Sequence, residues 1–191
     1  MFKLKIIIAS TRPGRQGPAV ASWINDVCIT IPAYQVSLLD LAEINLPFFD
    51  EPKHPRLKEY LHEHTKSWSK TIEEADAFVI VTCEYNFGYP APLKNALDYL
   101  FLEWNYKPVG FVSYGGIAGG TRSVQQLKQV VTAQKMMPVT ESVNIPFFTK
   151  HIDENGKFNG DDHLLKAANE MLKELLKWTE ALATMRKVSS E

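Results

Sequence analysis

"AFVIVTCEYNFGYPAPLKNALDYLF", residues 77 to 101, holds three kinds of pattern in succession. Residues 77–82 form a nearly continuous apolar run, closed by Cys83. Residues 84–92 mix charge, aromatic rings, glycine and two prolines. From Leu93 onward the apolar positions recur at helical spacing, at Leu97, Leu100 and Phe101. A short run rich in Val, Ile and Phe, with no polar alternation, reads as a strand covered on both faces, as in parallel sheets. The stretch is therefore a buried strand, a rigid loop and a helix.

The same unit recurs along the chain. Residues 4–9, 34–39 and 108–113 are comparable runs, and 136–143 is a weaker one whose Pro138 predicts a strand start or an edge. Between them lie helical patterns. Ala19, Val20, Trp23, Ile24 and Val27 follow Pro18, which suits a first helical position. Leu57, Tyr60, Leu61, Trp68 and Ile72 form a stripe in two segments. Val124, Leu127, Val130 and Val131 follow Thr121, a candidate N-cap. A last stripe runs from Leu164 to Leu182, opened by Asp161 or Asp162. Five alternations of strand and helix predict a doubly wound α/β fold with right-handed crossovers. The length suits a flavodoxin-like three-layer sandwich: a five-stranded parallel sheet, order 2-1-3-4-5, with helices on both faces. No repeat or linker divides residues 1–191, so one domain is expected. Two connections are long, 42–55 and 144–160; the first is too apolar to be loose, and the second carries Asn-Gly turn signals at 155 and 159.

Composition narrows the function classes. At 45% apolar and 23% charged residues the chain is an ordinary globular one. A formal charge of −1 gives no footprint for nucleic acid or an anionic membrane. Cys28 and Cys83 have neither metal-cluster spacing nor a disulfide framework, and they read as reduced, packed thiols. The opening MFKLKIIIAS is a strand rather than a signal segment. No run approaches the ~20 apolar residues of a membrane helix. A cytoplasmic protein is expected.

In such sheets ligands sit beyond the carboxyl ends of the strands, where chain order reverses. The loops after strands one, three and four should share that rim. The first holds Ser10, Thr11, Arg12, Arg15, Gly17 and Pro18 just before a helix. Free N–H groups, the helix dipole and guanidinium groups there suit a phosphate. It is neither a Walker loop nor Gly-x-Gly-x-x-Gly, so a monophosphate fits better than a longer one. The second, Glu84, Tyr85, Asn86 and Phe87, offers main-chain amides and, with Tyr89 or Tyr114, aromatic surface for a planar ring. The third, Ser113, Tyr114, Gly115 and Gly116, continues to Gly119 and Gly120 and lets backbone approach a flat ligand. Each loop alone is a weak signal: a basic turn, packing plugs, a flexible turn. Together they describe a phosphorylated planar cofactor, and FMN fits.

With these residues the chain resembles the NAD(P)H-dependent FMN reductases, the flavodoxin-like group that includes small quinone, azo and chromate reductases. Ala9-Ser10-Thr11-Arg12 is similar to that family's Gly-Ser-x-Arg after the first strand. Glu84-Tyr85-Asn86, followed after a few residues by Pro90-Ala91-Pro92-Leu93-Lys94-Asn95-Ala96-Leu97-Asp98, is similar to its most specific signature. Ser113-x-Gly-Gly with Gly119 and Gly120 looks like its third flavin loop. The likeness covers about residues 3–140. Cys83 stands where the family has proline and Ala9 where it has glycine. Arg15-Gln16-Gly17-Pro18 replaces a Ser/Asn-rich phosphate turn, with Arg15 expected to compensate.

The resemblance implies bound FMN, reduced by NADPH or NADH, that passes electrons to a small acceptor such as a quinone, flavin, azo compound or metal oxyanion. It implies a homodimer or homotetramer, in line with the apolar bulk of Leu102, Trp104 and Tyr106 after the 92–101 helix. No catalytic side chain is required, because the flavin carries the chemistry. No metal site is expected, since His62 and His64 lack i, i+4 spacing. Arg12 and Arg15 should hold the phosphate, and Ser113, Gly115 and Gly116 should face the ring's polar edge. Lys94, Asn95 and Asp98 are expected to brace the second loop. The competing reading is an electron-transfer flavodoxin or flavin sensor without NAD(P)H turnover, against which the near-neutral charge weighs.

Overall fold

The computed structural model describes residues 1–188. The strands are β1 (Phe2–Ile8), β2 (Tyr34–Asp40), β3 (Ala77–Cys83), β4 (Pro108–Tyr114) and β5 (Met137–Ile145). The helices are α1 (Gly17–Cys28), a short α2 (Leu41–Ile44), α3 (Glu63–Glu73), α4 (Ala91–Asp98), α5 (Thr121–Ala133) and α6 (Asp162–Val188). The sheet is parallel throughout, in the order β2-β1-β3-β4-β5. This is the flavodoxin-like order that the sequence predicts.

Strand parity builds the two cores. Leu4, Ile6, Ile8, Val79, Val81 and Val112 meet α1 and α6 on one face. Ile7, Phe78, Ile80, Val109 and Phe111 meet α3, α4 and α5 on the other. Burying each such side chain contributes about 1.5–3 kcal/mol before conformational entropy is charged. β3 and β4 are buried along their whole length, whereas the edge strands β2 and β5 alternate with exposed positions. Gly110 lets α6 lie close on β4: a Cβ there would be 3.0 Å from Met171 Sδ.

Several local expectations shift. Thr121 is the first residue of α5 rather than its cap; Gly120, at φ 80°, holds the cap position. Asp161 caps α6, its Oδ1 accepting from Leu164 N at 2.9 Å. The 57–72 stripe splits into a 3-10 turn (Pro55–Leu57) and α3, and leaves Leu57 and Leu61 exposed. Pro138 is the second residue of an edge strand, where its missing N–H costs no ladder bond.

The 42–55 connection is tied down by α4. Phe49 N donates to Asn95 Oδ1 at 2.9 Å, and Asn95 Nδ2 donates to Pro47 O at 2.7 Å. Tyr99 Oη adds a bond to Asp50 Oδ1 at 3.0 Å, while Lys94 pairs with Asp98 one turn on. Asn95 thus braces the connection after β2 rather than the loop after β3. Among the described residues, no helix is long and apolar enough to cross a membrane.

Candidate functional site

The loops after β1, β3 and β4 do meet at the carboxyl rim. Tyr114, at the end of β4, donates from its hydroxyl to Ser10 Oγ at 3.2 Å. Gly17 lies beneath this contact, and a Cβ there would fall 2.3 Å from Ser10 Oγ and 3.0 Å from Tyr114 Oη. The glycine is therefore required by close approach rather than by its backbone angle. Cys83, at the end of β3, stands in register with Tyr114, and its thiol is near enough to the Tyr85 and Tyr114 phenols to act on both. Burial, reinforced by that thiol, pushes the Tyr85 phenol up to about 12, with Arg12 opposing the rise. The Tyr114 phenol is raised by burial and by Cys83, against the Ser10 hydrogen bond. Both phenols keep their protons at neutral pH.

In the first loop the two arginines take different tasks. Arg15 forms a two-pronged pair with Asp40, 2.7 Å to Oδ1 and 2.6 Å to Oδ2, and also donates to Ser10 O at 2.7 Å. The hydrogen bond to Asp40 raises its already high pKa. Asp40 also accepts from Ala42 N, so one carboxylate ties the first loop to the start of α2. Arg15 is thus a brace whose charge is already met by Asp40, where the sequence led us to expect a guanidinium free for phosphate. Arg12 is exposed, and Thr11 and Pro18 are half-buried. No side chain caps the N-terminus of α1.

The second loop is a tight two-residue turn. Tyr85 N donates to Gly88 O and Gly88 N to Tyr85 O, both at 2.9 Å. Its central residues, Asn86 and Phe87, lie at φ 51° and 71°. Left-handed backbone costs roughly 1–2 kcal/mol at a residue such as Phe. Tyr85 and Phe87 are 40% and 58% exposed, so both rings are open to a ligand. Glu84 runs the other way. Its Oε1 pairs with Arg122 Nη2 at 2.5 Å, and its side chain is 9% exposed. Its Oε2 is buried without a partner.

The third loop turns its side chains inward. Ser113 is fully buried, and its single hydroxyl proton is shared between Gly119 O at 2.7 Å and Asn144 Oδ1 at 3.0 Å. Tyr114 is 3% exposed and packs edge-on against Phe148. The Tyr114 ring is thus packed inside rather than presented as an aromatic surface, and the Ser113 side chain is spent within the loop; both shape it from below. Gly115 N is taken by Ile145 O at 3.2 Å. Gly116 is exposed, with open space above it. The residues that sequence reasoning missed are Asp40, Arg122, Gln126 and Asn144, each the partner of a residue it named.

Four features of the rim suit a phosphorylated planar ligand. They are the exposed Arg12, the uncapped α1, the open backbone at Gly116 and the orphaned acceptor on Glu84. FMN fits this donor set, with Thr11 and Arg12 placed to hold its phosphate, while Ser10, 1% exposed and bonded to Tyr114, lies beneath them. A model of NADPH-dependent FMN reductase matches residues 2–150. The chain belongs to the NADPH-dependent FMN reductase family. It is accordingly an FMN-dependent oxidoreductase served by a nicotinamide dinucleotide. It is 38% identical to an NAD(P)H-dependent FMN reductase of Schizosaccharomyces pombe, over 87% of this chain and 92% of that one. It is 30% identical to an NADPH:quinone oxidoreductase of Arabidopsis thaliana, over 77% and 74%. The solved structure of an NAD(P)H:acceptor flavoenzyme from Paracoccus denitrificans superposes with a TM-score of 0.76. It covers 95% of this chain and 98% of its own at 18% identity, a likeness of fold.

Proposed function

We propose that the three rim loops hold one FMN per chain and that a small planar acceptor of the quinone class takes the electrons. The observation that carries this is the convergence itself: Tyr114 bonds Ser10 across the rim, and Cys83 stands in register with Tyr114 where β3 and β4 end, so three sequence-distant loops rise from one connected base. When bound, FMN supplies the redox chemistry, accepting a hydride from the nicotinamide and releasing electrons to the acceptor. The chain's residues bind and orient. Arg12 and the first turn of α1 neutralise the phosphate. Tyr85 and Phe87 present rings to the flat ligand, and Gly116 admits it close to backbone. Rigid support beneath, from Arg15 on Asp40 and Ser113 on Asn144, keeps the rim in shape before binding.

The test is anaerobic. Protein loaded with FMN should lose its yellow absorbance on addition of NADPH or NADH and regain it on addition of a quinone. Bound flavin that stays oxidised with both nucleotides would leave an electron carrier instead.

A homodimer accompanies this reading. A groove of about 660 Å³ runs between the 49–55 segment, α4 and α5, walled by Phe49, Pro52, Pro55, Leu100, Phe101 and Val130. Phe48 and Leu102 are 89% and 44% exposed. Exposed apolar area of this kind marks subunit contacts. Sedimentation at micromolar concentration should give twice the 21.7 kDa chain mass, and a single-chain value would end the proposal. The two free buried cysteines suit a reducing, cytoplasmic setting.

A further inference from the structure

The strained turn after β3 is held from outside itself. Asn86 and Phe87 both sit at positive φ, and the two hydrogen bonds that close the turn join Tyr85 to Gly88 alone. Further support comes from α5. Arg122 Nη2 reaches Glu84 Oε1 at 2.5 Å, and its guanidinium carbon lies 3.9 Å over the Phe87 ring. One turn on, Gln126 Nε2 donates to Phe87 O at 3.2 Å. Residues 122 and 126 share a helix face, so one rigid element grips both ends of the turn.

The charge balance makes Arg122 the decisive grip. Glu84 is nine-tenths buried in its side chain, and its second oxygen has no partner. Among the described residues, Arg122 is the cation paired with it. A buried carboxylate stripped of its partner is strongly unfavourable. Without Arg122 the Glu84 side chain must swing toward water, and Tyr85 is the next residue in the chain. The planar guanidinium matters as well as its charge, since it bonds Glu84 and stacks on Phe87 at once.

We propose that Arg122 is a positioning residue for flavin binding, holding the 84–88 turn in its ligand-ready shape through Glu84 and Phe87. This rests on the reading that residues 84–87 line the flavin. Arg122 itself need not touch the ligand.

The experiment titrates FMN into apo protein by fluorescence quenching and records apo melting temperatures in parallel. The variants are Arg122→Met, Arg122→Lys, Glu84→Gln and the double Glu84→Gln/Arg122→Met. Arg122→Met should weaken FMN binding about tenfold or more, for the loss of one well-placed charged contact. Arg122→Lys should recover part of the loss, because it restores the charge without the flat stack. The double variant should bind FMN better than Arg122→Met alone, since no stranded carboxylate remains. A purely structural role would lower the apo melting temperatures and leave the FMN affinities of the folded variants alike. Unchanged affinity in Arg122→Met, or a double variant whose losses simply add, overturns the proposal. If Arg122→Met does not fold, Arg122→Lys decides: wild-type affinity together with a lowered apo melting temperature overturns it. Wild-type protein that fails to quench FMN sinks the site reading, and this inference with it, by a separate result.

Discussion

Replacing Arg12 by alanine weakens FMN binding by about 10- to 100-fold, the equivalent of one hydrogen-bonded charge contact. The apo protein should melt at the wild-type temperature. Both halves follow from how the first loop divides its arginines. Arg12 is exposed, and its charge is felt at the Tyr85 phenol on the neighbouring turn. Arg15 is spent on Asp40 and Ser10. Arg15→Ala should therefore show the opposite balance: a lowered apo melting temperature, because Asp40 is left with an unpaired, largely buried carboxylate. Ionic strength separates the roles further. Wild-type affinity should fall as salt rises, since an exposed guanidinium on a phosphate is screened. Arg12→Ala should flatten that dependence and Arg15→Ala should preserve it. Calorimetric titration at two salt concentrations checks this, and a salt response abolished by Arg15→Ala alone would reassign the phosphate to Arg15.

The difference between the two arginines also marks what the sequence can and cannot disclose. The strands were legible because uninterrupted apolar runs have no other comfortable place in a chain of this length. The three loops were legible because glycine, arginine and aromatic residues cluster after those runs. Partnerships were not, since they depend on elements that lie far apart in sequence. Asp40 is 25 residues from Arg15, yet it pairs in register with Ile8 at the end of the neighbouring strand. Once the order 2-1-3-4-5 is adopted, an acid closing strand two beside a basic loop closing strand one becomes a readable signal. Asn144 likewise sits opposite Ser113 in the β4–β5 register. Parity alone could have turned Tyr114 inward, because Val112, two residues earlier, belongs to the core under α1 and α6. Arg122 gives no such hint. Its role depends on the direction in which α5 leaves the glycine loop, and only the assembled fold shows that.

Raising the pH from 7 to 10 should stabilise the wild-type protein relative to Lys107→Met, by about 1.4 kcal/mol for each pH unit at most. Lys107 is 5% exposed, and its ammonium donates to Ile72 O at 2.7 Å and Glu73 O at 2.9 Å, at the end of α3. Burial, helped by the nearby Arg186 charge, pushes its pKa down to about 7, while Asp76, Glu73 and Glu103 oppose the shift. A neutral amine still has two N–H groups, so both carbonyl contacts survive deprotonation. The sign follows from proton counting. Above pH 7 the folded protein holds the amine neutral, whereas the unfolded chain keeps its proton to about 10.4. The unfolded state binds more protons across that window, so stability rises with pH. Other groups bend the absolute curve. Burial raises the Cys28 thiol to about 12 and the Tyr34 phenol to about 12, so the folded state retains protons that the unfolded chain releases from about 8.5 upward. These groups take stability away at high pH, as do the Tyr60, Tyr85, Tyr89, Tyr99 and Tyr114 phenols, which burial raises as well. They act alike in Lys107→Met, so the difference between the two proteins isolates the lysine. Lys5, also lowered by burial, leaves a weaker rise in both. Urea unfolding at half-unit steps from pH 7 to 10 measures the difference. Parallel curves would mean that Lys107 stays charged in the folded state, held by the α3 carbonyls against the cost of its burial.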